Sequence, residues 1–227
     1  MTGSAILIPL VTIPFVMSLV ALSLPSNARN AEAWLAGATA ILSLVFLSAC
    51  YPRIAEGEVI RYTATWMPQL GLDFQLRLDG FAWVFAALIT GIGFLVVLYA
   101  RYYMSPTDPV PRFFSFLLAF MGAMLGIALS GNLIQLVFFW ELTSLFSFLL
   151  IGYWHQTAQA RDGARMALIV TSLGGFCLLA GILIIGHIVG SYELDRVLAA
   201  GDTIRTHSLY VPALVLVLIG ALSKSAQ

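Results

Sequence analysis

Charge is the scarcest ingredient of this 227-residue chain: Asp, Glu, Lys and Arg make up 10% of it and cancel to a formal net charge of zero. An ordinary soluble domain carries about 25% charged residues, so a surface solvated all round is excluded. No run of basic residues occurs, which excludes the electrostatic footprint of nucleic-acid binding and a polybasic lipid patch. Cysteine is nearly absent too. Cys50 and Cys177 both fall inside apolar runs and read as small buried hydrophobes, not as a disulfide or metal pair. His155, His187 and His207 have no metal-ligand spacing. His187 alone lies within an apolar run, where an interfacial histidine is a simpler reading than a proton carrier. A Walker loop and a Ser-His-Asp arrangement are missing, and Gly91-Ile92-Gly93 lacks the flanking strand of a dinucleotide fingerprint. No cofactor, no metal and no enzymatic chemistry are expected.

What fills the chain is apolar: 60% of its residues, with a mean hydropathy of +0.95. A membrane helix needs about 20 mostly apolar residues. Seven runs approach that length: 5–24, 33–51, 81–103, 113–130, 133–153, 166–189 and 209–227. The expected fold class is therefore all-α and polytopic, a single membrane domain over 1–227 lying in lipid as a multi-pass protein of the cell (inner) membrane. Met1–Ala5 holds no Lys or Arg and the run after it is as long as a span, so the first run reads as helix one and not as an export signal. Pro25, the Pro106–Pro111 segment, Ser130-Gly131-Asn132 and Gly190 punctuate the spans as helix breakers should. Pro9 and Pro14 lie inside the first, tolerable where neighbouring helices satisfy freed carbonyls. Gly122-x-x-x-Gly126 and Gly186-x-x-x-Gly190 are spaced for close helix approach, although glycine is common in spans.

The link between the second and third runs has a different period. Ile60, Tyr62, Ala64 and Trp66 alternate with polar residues, as do Leu72, Phe74, Leu76 and Leu78, with Met67-Pro68-Gln69-Leu70-Gly71 between. Period two predicts a β-hairpin outside the hydrocarbon layer. Basic residues divide evenly: Arg29, Arg101, Arg112, Arg161 and Arg165 on one side, Arg53, Arg61, Arg77, Arg196 and Arg205 on the other. The first set is denser because its links are shorter, which by the positive-inside rule puts the N-terminus outside.

Two charges interrupt the apolar runs at depth. Glu141 sits midway along 133–153, and Lys224, the chain's one lysine, lies far into 209–227. Each such charge costs roughly 2.5–3.5 kcal/mol at a helix centre and marks an ion or proton path. Apolar surroundings favour the neutral acid and a nearby ammonium favours the carboxylate, so a glutamate pulled both ways changes protonation when its partner moves. Ser144, three residues on, shares the glutamate's face as an accessory hydroxyl able to donate to it or hold water. At 1.5 Å per residue Glu141 is about 12 Å and Lys224 about 22 Å in from the starts of their runs. Direct contact must therefore close about 10 Å by lysine reach, tilt or a shifted helix start.

The string Asp79-Gly80-Phe81-Ala82, leading into Gly93-Phe94-Leu95-Val96-Val97-Leu98-Tyr99, resembles the N-terminal region of the antiporter-like subunits shared by respiratory complex I and the Mrp multisubunit cation/proton antiporters. Asn132 to Leu145, continuing through Leu150-Ile151-Gly152-Tyr153-Trp154, is similar to the fifth helix of the large A-type subunit of Mrp antiporters. Within it, Trp140-Glu141-Leu142-Thr143-Ser144 separates the chain from the complex I relatives. Ala221-Leu222-Ser223-Lys224-Ser225-Ala226-Gln227 resembles that family's seventh helix.

The resemblance implies that Glu141 and Lys224 are the family's coupled pair, opening a membrane-embedded proton-transfer chain. It also implies that the protein is a transporter component whose partners are the other subunits of an antiporter complex, membrane lipid, protons and monovalent cations such as Na+ or K+. Family members continue beyond Lys224 with further protonatable helices, so a truncated or split gene or a fragment is expected. Two other readings stand beside this one: a proton-pumping subunit of a complex I-type NADH dehydrogenase, and a truncated assembly piece that transports nothing.

Overall fold

The computed structural model describes every residue except 1–3, 26–27, 68, 70–71, 106–107 and 226–227. Pro68, Leu70 and Gly71 of the expected turn, Pro106 of the interhelical link, and Ala226 and Gln227 of the last motif thus lie outside the described residues. The chain forms two compact units, 1–62 with 77–129 and 63–76 with 130–227.

The first unit packs four helices: α1 (Leu7–Leu22), α2 (Arg29–Ala55), α3 (Gly80–Tyr103) and α4 (Val110–Leu129). α1 lies against α4 and α2 against α3. α1 continues through Pro14, whose ring is buried. α2 also runs past the expected stop, through Pro52 to Ala55, because a proline at a helix end frees only one carbonyl that water can serve. Beyond it, the Arg53 guanidinium and Glu58 carboxylate pair at the surface. α3 is started by Asp79, whose carboxylate accepts from the Ala82 N–H at 2.8 Å, relieving one of the four orphan amides of a helix start. α1 and α4 close on each other at Gly122, where a Cβ would come within 2.9 Å of the Phe15 ring.

The second unit holds α5 (Leu133–Ile151), α6 (Ala158–Val189), two short helices α7 (Leu194–Ala199) and α8 (Gly201–Thr206), and α9 (Tyr210–Leu222). α6 begins eight residues before the expected 166. Its first turns carry Arg161, Asp162 and Arg165, exposed, and a hydropathy reading trims polar turns that are helical but outside the apolar layer. Thr157 caps it, and it ends at Gly190 with φ +73°, in the left-handed region that glycine adopts without strain. The second glycine pair works inside one element: Gly190 N–H donates to the Gly186 carbonyl at 2.8 Å, while the Tyr192 ring fills the space a Cβ at Gly186 would need.

The expected hairpin is present as two paired strands, β1 (Ile60–Met67) and β2 (Leu72–Leu78). Ile60, Leu76 and Leu78 are buried as the alternation requires, whereas Trp66 is exposed. β2 is anchored within the second unit by Gln135, which accepts from Gln75 N–H at 2.9 Å and donates to Gln75 C=O at 3.0 Å.

Among the described residues five helices, α2 to α6, are long and apolar enough to cross a membrane; α1 and α9 are apolar but shorter.

Candidate functional site

α5 begins where the backbone is pinned twice. Gly131 N–H donates to Gln75 C=O at 2.8 Å, and Leu133 N–H donates to Tyr192 C=O at 2.9 Å. Asn132 between them caps the helix, its side-chain oxygen accepting from Ile134 N–H at 2.9 Å. Along α5, mostly apolar, Glu141 is the one formal charge.

The Glu141 carboxyl enters α6 at Gly175, where a Cβ would occupy the position of its Oε1. That oxygen is sealed from solvent and has no hydrogen-bond partner among the described residues; Ser172, on α6, is the carboxyl's polar neighbour. Gly174, adjacent, receives Ser223 from the end of α9 in the same manner. α6 and α9 also meet at Gly220, where a Cβ would stand 2.6 Å from the Leu178 Cβ, and at Gly181, 2.8 Å from a Val217 methyl. Three glycines, Gly174, Gly181 and Gly220, thus bring α9 in close, and the glutamate and the end of α9 enter α6 through neighbouring residues, Gly175 and Gly174.

Lys224 follows α9 and turns its ammonium onto α5. It donates to the Trp140 carbonyl at 2.7 Å and to the Thr143 hydroxyl, and lies 4.9 Å from the centroid of the Trp140 ring, within the range of a cation–π contact. These two acceptors flank Glu141 in sequence. Ammonium and carboxylate form no close ion pair among the described residues, but each acts on the other electrostatically. Despite the depth difference of about 10 Å inferred from ideal rise, the Lys224 ammonium reaches α5 at Trp140 and Thr143. Ser144, buried, donates to the Trp140 carbonyl at 3.4 Å instead of to the carboxyl, since its rotamer lies back along its own helix. Thr143 and Ser172 are the polar contacts that spacing does not single out. The Thr143 hydroxyl donates in turn to Trp140 C=O at 2.7 Å.

The histidines stand apart from this arrangement. His187 is exposed on α6, the His155 ring lies 3.5 Å from Tyr153 C=O, and His207 accepts from the Leu209 N–H. Among the described residues no cluster of metal-ligating side chains occurs. Cys50 is buried and Cys177 half-buried, both as thiols.

Two families match the sequence. Residues 66–114 match the family described as NADH-ubiquinone oxidoreductase (complex I), chain 5 N-terminus, and residues 130–227 match NADH:quinone oxidoreductase/Mrp antiporter, TM. The probable A/B subunit of a K+/H+ antiporter from Rhizobium meliloti strain 1021 is 61% identical over 96% of this chain and 22% of its own length. The A-type subunit of a Na+/H+ antiporter from Alkalihalophilus pseudofirmus is 38% identical over 94% of this chain and 27% of its own. A solved Mrp complex from Dietzia sp. DQ12-45-1b superposes with a TM-score of 0.80 and 27% identity, over 100% of this chain and 24% of that one. An archaeal membrane-bound sulfane sulfur reductase shares the fold, with a TM-score of 0.78 at 22% identity, over 96% of this chain and 34% of that one. The chain spans about a quarter of the length of the curated relatives it matches.

Proposed function

We propose that the chain is a member of the family of antiporter-like membrane subunits shared by NADH:quinone oxidoreductase and the Mrp antiporters, corresponding to the N-terminal part of the A-type subunits it resembles, and a membrane component of a monovalent cation/proton antiporter. It works as a transporter part and not as an enzyme, with the other subunits of an antiporter complex as partners, Na+ or K+ and protons as cargo, and lipid around it. α1 and α9 complete seven spans, with the N-terminus outside.

Glu141 and Lys224 are the groups that move charge. What supports this is the Lys224 ammonium seated on Trp140 and Thr143, one residue before and two after Glu141, with the carboxyl inserted at Gly175 of the helix that also receives the end of α9. A proton reaching Glu141 removes the charge that attracts Lys224. At an effective dielectric of about 20, neighbouring unit charges interact by a few kcal/mol, enough to change the ammonium's hold on its acceptors by roughly tenfold or more. Lys224 is then free to transfer charge to groups farther along the protein.

Thr143 favours this reading over that of a redox-driven complex I-type component, because it belongs to the Trp-Glu-Leu-Thr-Ser string and is itself an acceptor for Lys224. Glu141→Gln in the assembled complex tests it: cation-dependent proton flux in vesicles is lost while membrane abundance is unchanged. Normal flux rejects the role of Glu141, and an assembled complex indifferent to every substitution at 141 and 224 turns the reading to an assembly piece.

A further inference from the structure

A second carboxylate lies in the other unit. Glu32, in the first turn of α2, has no solvent exposure at all, and neither of its oxygens has a hydrogen-bond partner among the described residues. The carboxyl is enclosed by its own chain. The charged groups on the surrounding helices are engaged elsewhere: Arg29 donates to the Met104 carbonyl at 2.9 Å, Arg101 stacks on Trp34 and Tyr102, and Arg112 lies over Phe116. α1 contains no titratable residue. Cys50 and Arg53 are at the far end of α2, some 27 Å or more away on ideal rise, and the tyrosines Tyr99, Tyr102 and Tyr103 of α3 are exposed.

The level at which Glu32 sits is polar. Ser18 of α1 and Ser115 of α4, both buried, share a 3.0 Å hydrogen bond. They lie about 6 and 8 Å in from the same end of the unit, where Glu32 is about 5 Å in. Farther along the same face of α2 are Thr39 and Ser43, buried as well, but each donates to a carbonyl of its own helix. Those hydroxyls are spent on the backbone, so the interior supports storage of a proton at Glu32 and not conduction along the helix. An ionised carboxylate with neither water nor partner is among the costliest groups a core can hold, and a neutral acid is not.

We propose that Glu32 is a second proton-binding site, one that takes a proton from water at the adjacent membrane face and returns it there, separately from Glu141. Carboxylate plus proton gives carboxylic acid, with no other co-reactant. The proposal is placed beside the antiport reading, but its test measures protonation and not transport, so failure of the one is distinguishable from failure of the other.

The test is infrared spectroscopy of the detergent-purified complex, following the carbonyl stretch of protonated carboxyl groups and its shift in D2O. The expected result is a band present near neutral pH, lost in alkali, absent from Glu32→Gln, retained in Glu141→Gln and unchanged by adding Na+ or K+. If Glu32→Gln does not assemble, Glu32→Met, similar in size and apolar, serves instead. A spectrum identical in wild type and variant at every pH overturns the proposal. So does a band that alkali never removes, which makes the proton a fixed structural one, or a band that either cation abolishes, which makes the site a cation site.

Discussion

At residue 175 the absence of a side chain is what lets a carboxyl into the interior of the second unit. Gly175→Ala puts a methyl on the Glu141 oxygen, and overpacking of that kind costs roughly 1–3 kcal/mol. The expected outcome is lost exchange in vesicles at near-normal abundance, whereas Gly163→Ala, with open space around it, leaves exchange intact. Glu141 and Lys224 differ in what they leave behind. Without Glu141, Lys224 keeps the Trp140 carbonyl and the Thr143 hydroxyl; without Lys224, Glu141 keeps only Ser172 as a polar neighbour. Lys224→Ala should therefore destabilise the complex in detergent more than Glu141→Gln does, and the double variant less than the sum. Effects that add within about 0.5 kcal/mol mean the two are uncoupled. The pair itself is legible in the sequence because a charge in an apolar run is conspicuous. Its contacts are not: Thr143, Ser172 and Gly175 become meaningful only when α5, α6 and α9 are side by side. Glu32 escapes for a different reason. An apolar run that starts at Ala33 excludes it by one residue, so a buried acid reads as part of a link.

Among the elements, α3 offers the clearest dependence on pH. Partial burial opposes ionisation of Asp79, but the Ala82 N–H and the Arg77 guanidinium, 2.5 Å away, outweigh it and hold the carboxyl below its ordinary value. A lowered value in the folded state means the contribution is complete above the unfolded aspartate range, about pH 4, and is lost as pH falls through the lower folded value. Thermal stability in detergent should be flat through neutral pH and decline in acid, and Asp79→Asn, which can still cap, should flatten that decline. An unchanged acid limb in Asp79→Asn would assign the decline elsewhere. For the hairpin, Gln135→Leu strips both anchors from the Gln75 backbone. Unsatisfied buried groups cost about 1–3 kcal/mol, and cleavage by protease between the strands should accelerate. The hairpin is legible because period two cannot be mistaken for a span, and the exposed Trp66 departs from it only at the strand's end. α7 and α8 are not legible, being six residues each and too short to show a helical period.

For the whole molecule, membrane residence follows from composition, and five helices meet the length of a span. The last step to seven spans and an orientation needs chemistry on cells. With the N-terminus outside, cysteines placed at Gln69 and Asp202, both exposed, should react with a membrane-impermeant thiol reagent on intact cells, while one at Gln159 reacts only after lysis. The opposite pattern inverts the topology. Hydropathy places the five long apolar helices in order, since apolar character is read from composition alone. It resolves their ends poorly, because α6 extends beyond the apolar layer and α2 passes through a proline.

The carbonyl of Trp140 has one further property. It receives the Lys224 ammonium, the Thr143 hydroxyl and the Ser144 hydroxyl, and in an α-helix the same oxygen serves the amide four residues on, that of Ser144. A helix bends most readily where side chains intrude on its ladder. α5 is therefore expected to yield most readily one residue from the charge it carries, and in the detergent-solubilised complex the Ser144 amide should exchange deuterium sooner than those of Phe138 and Phe148 on the turns either side.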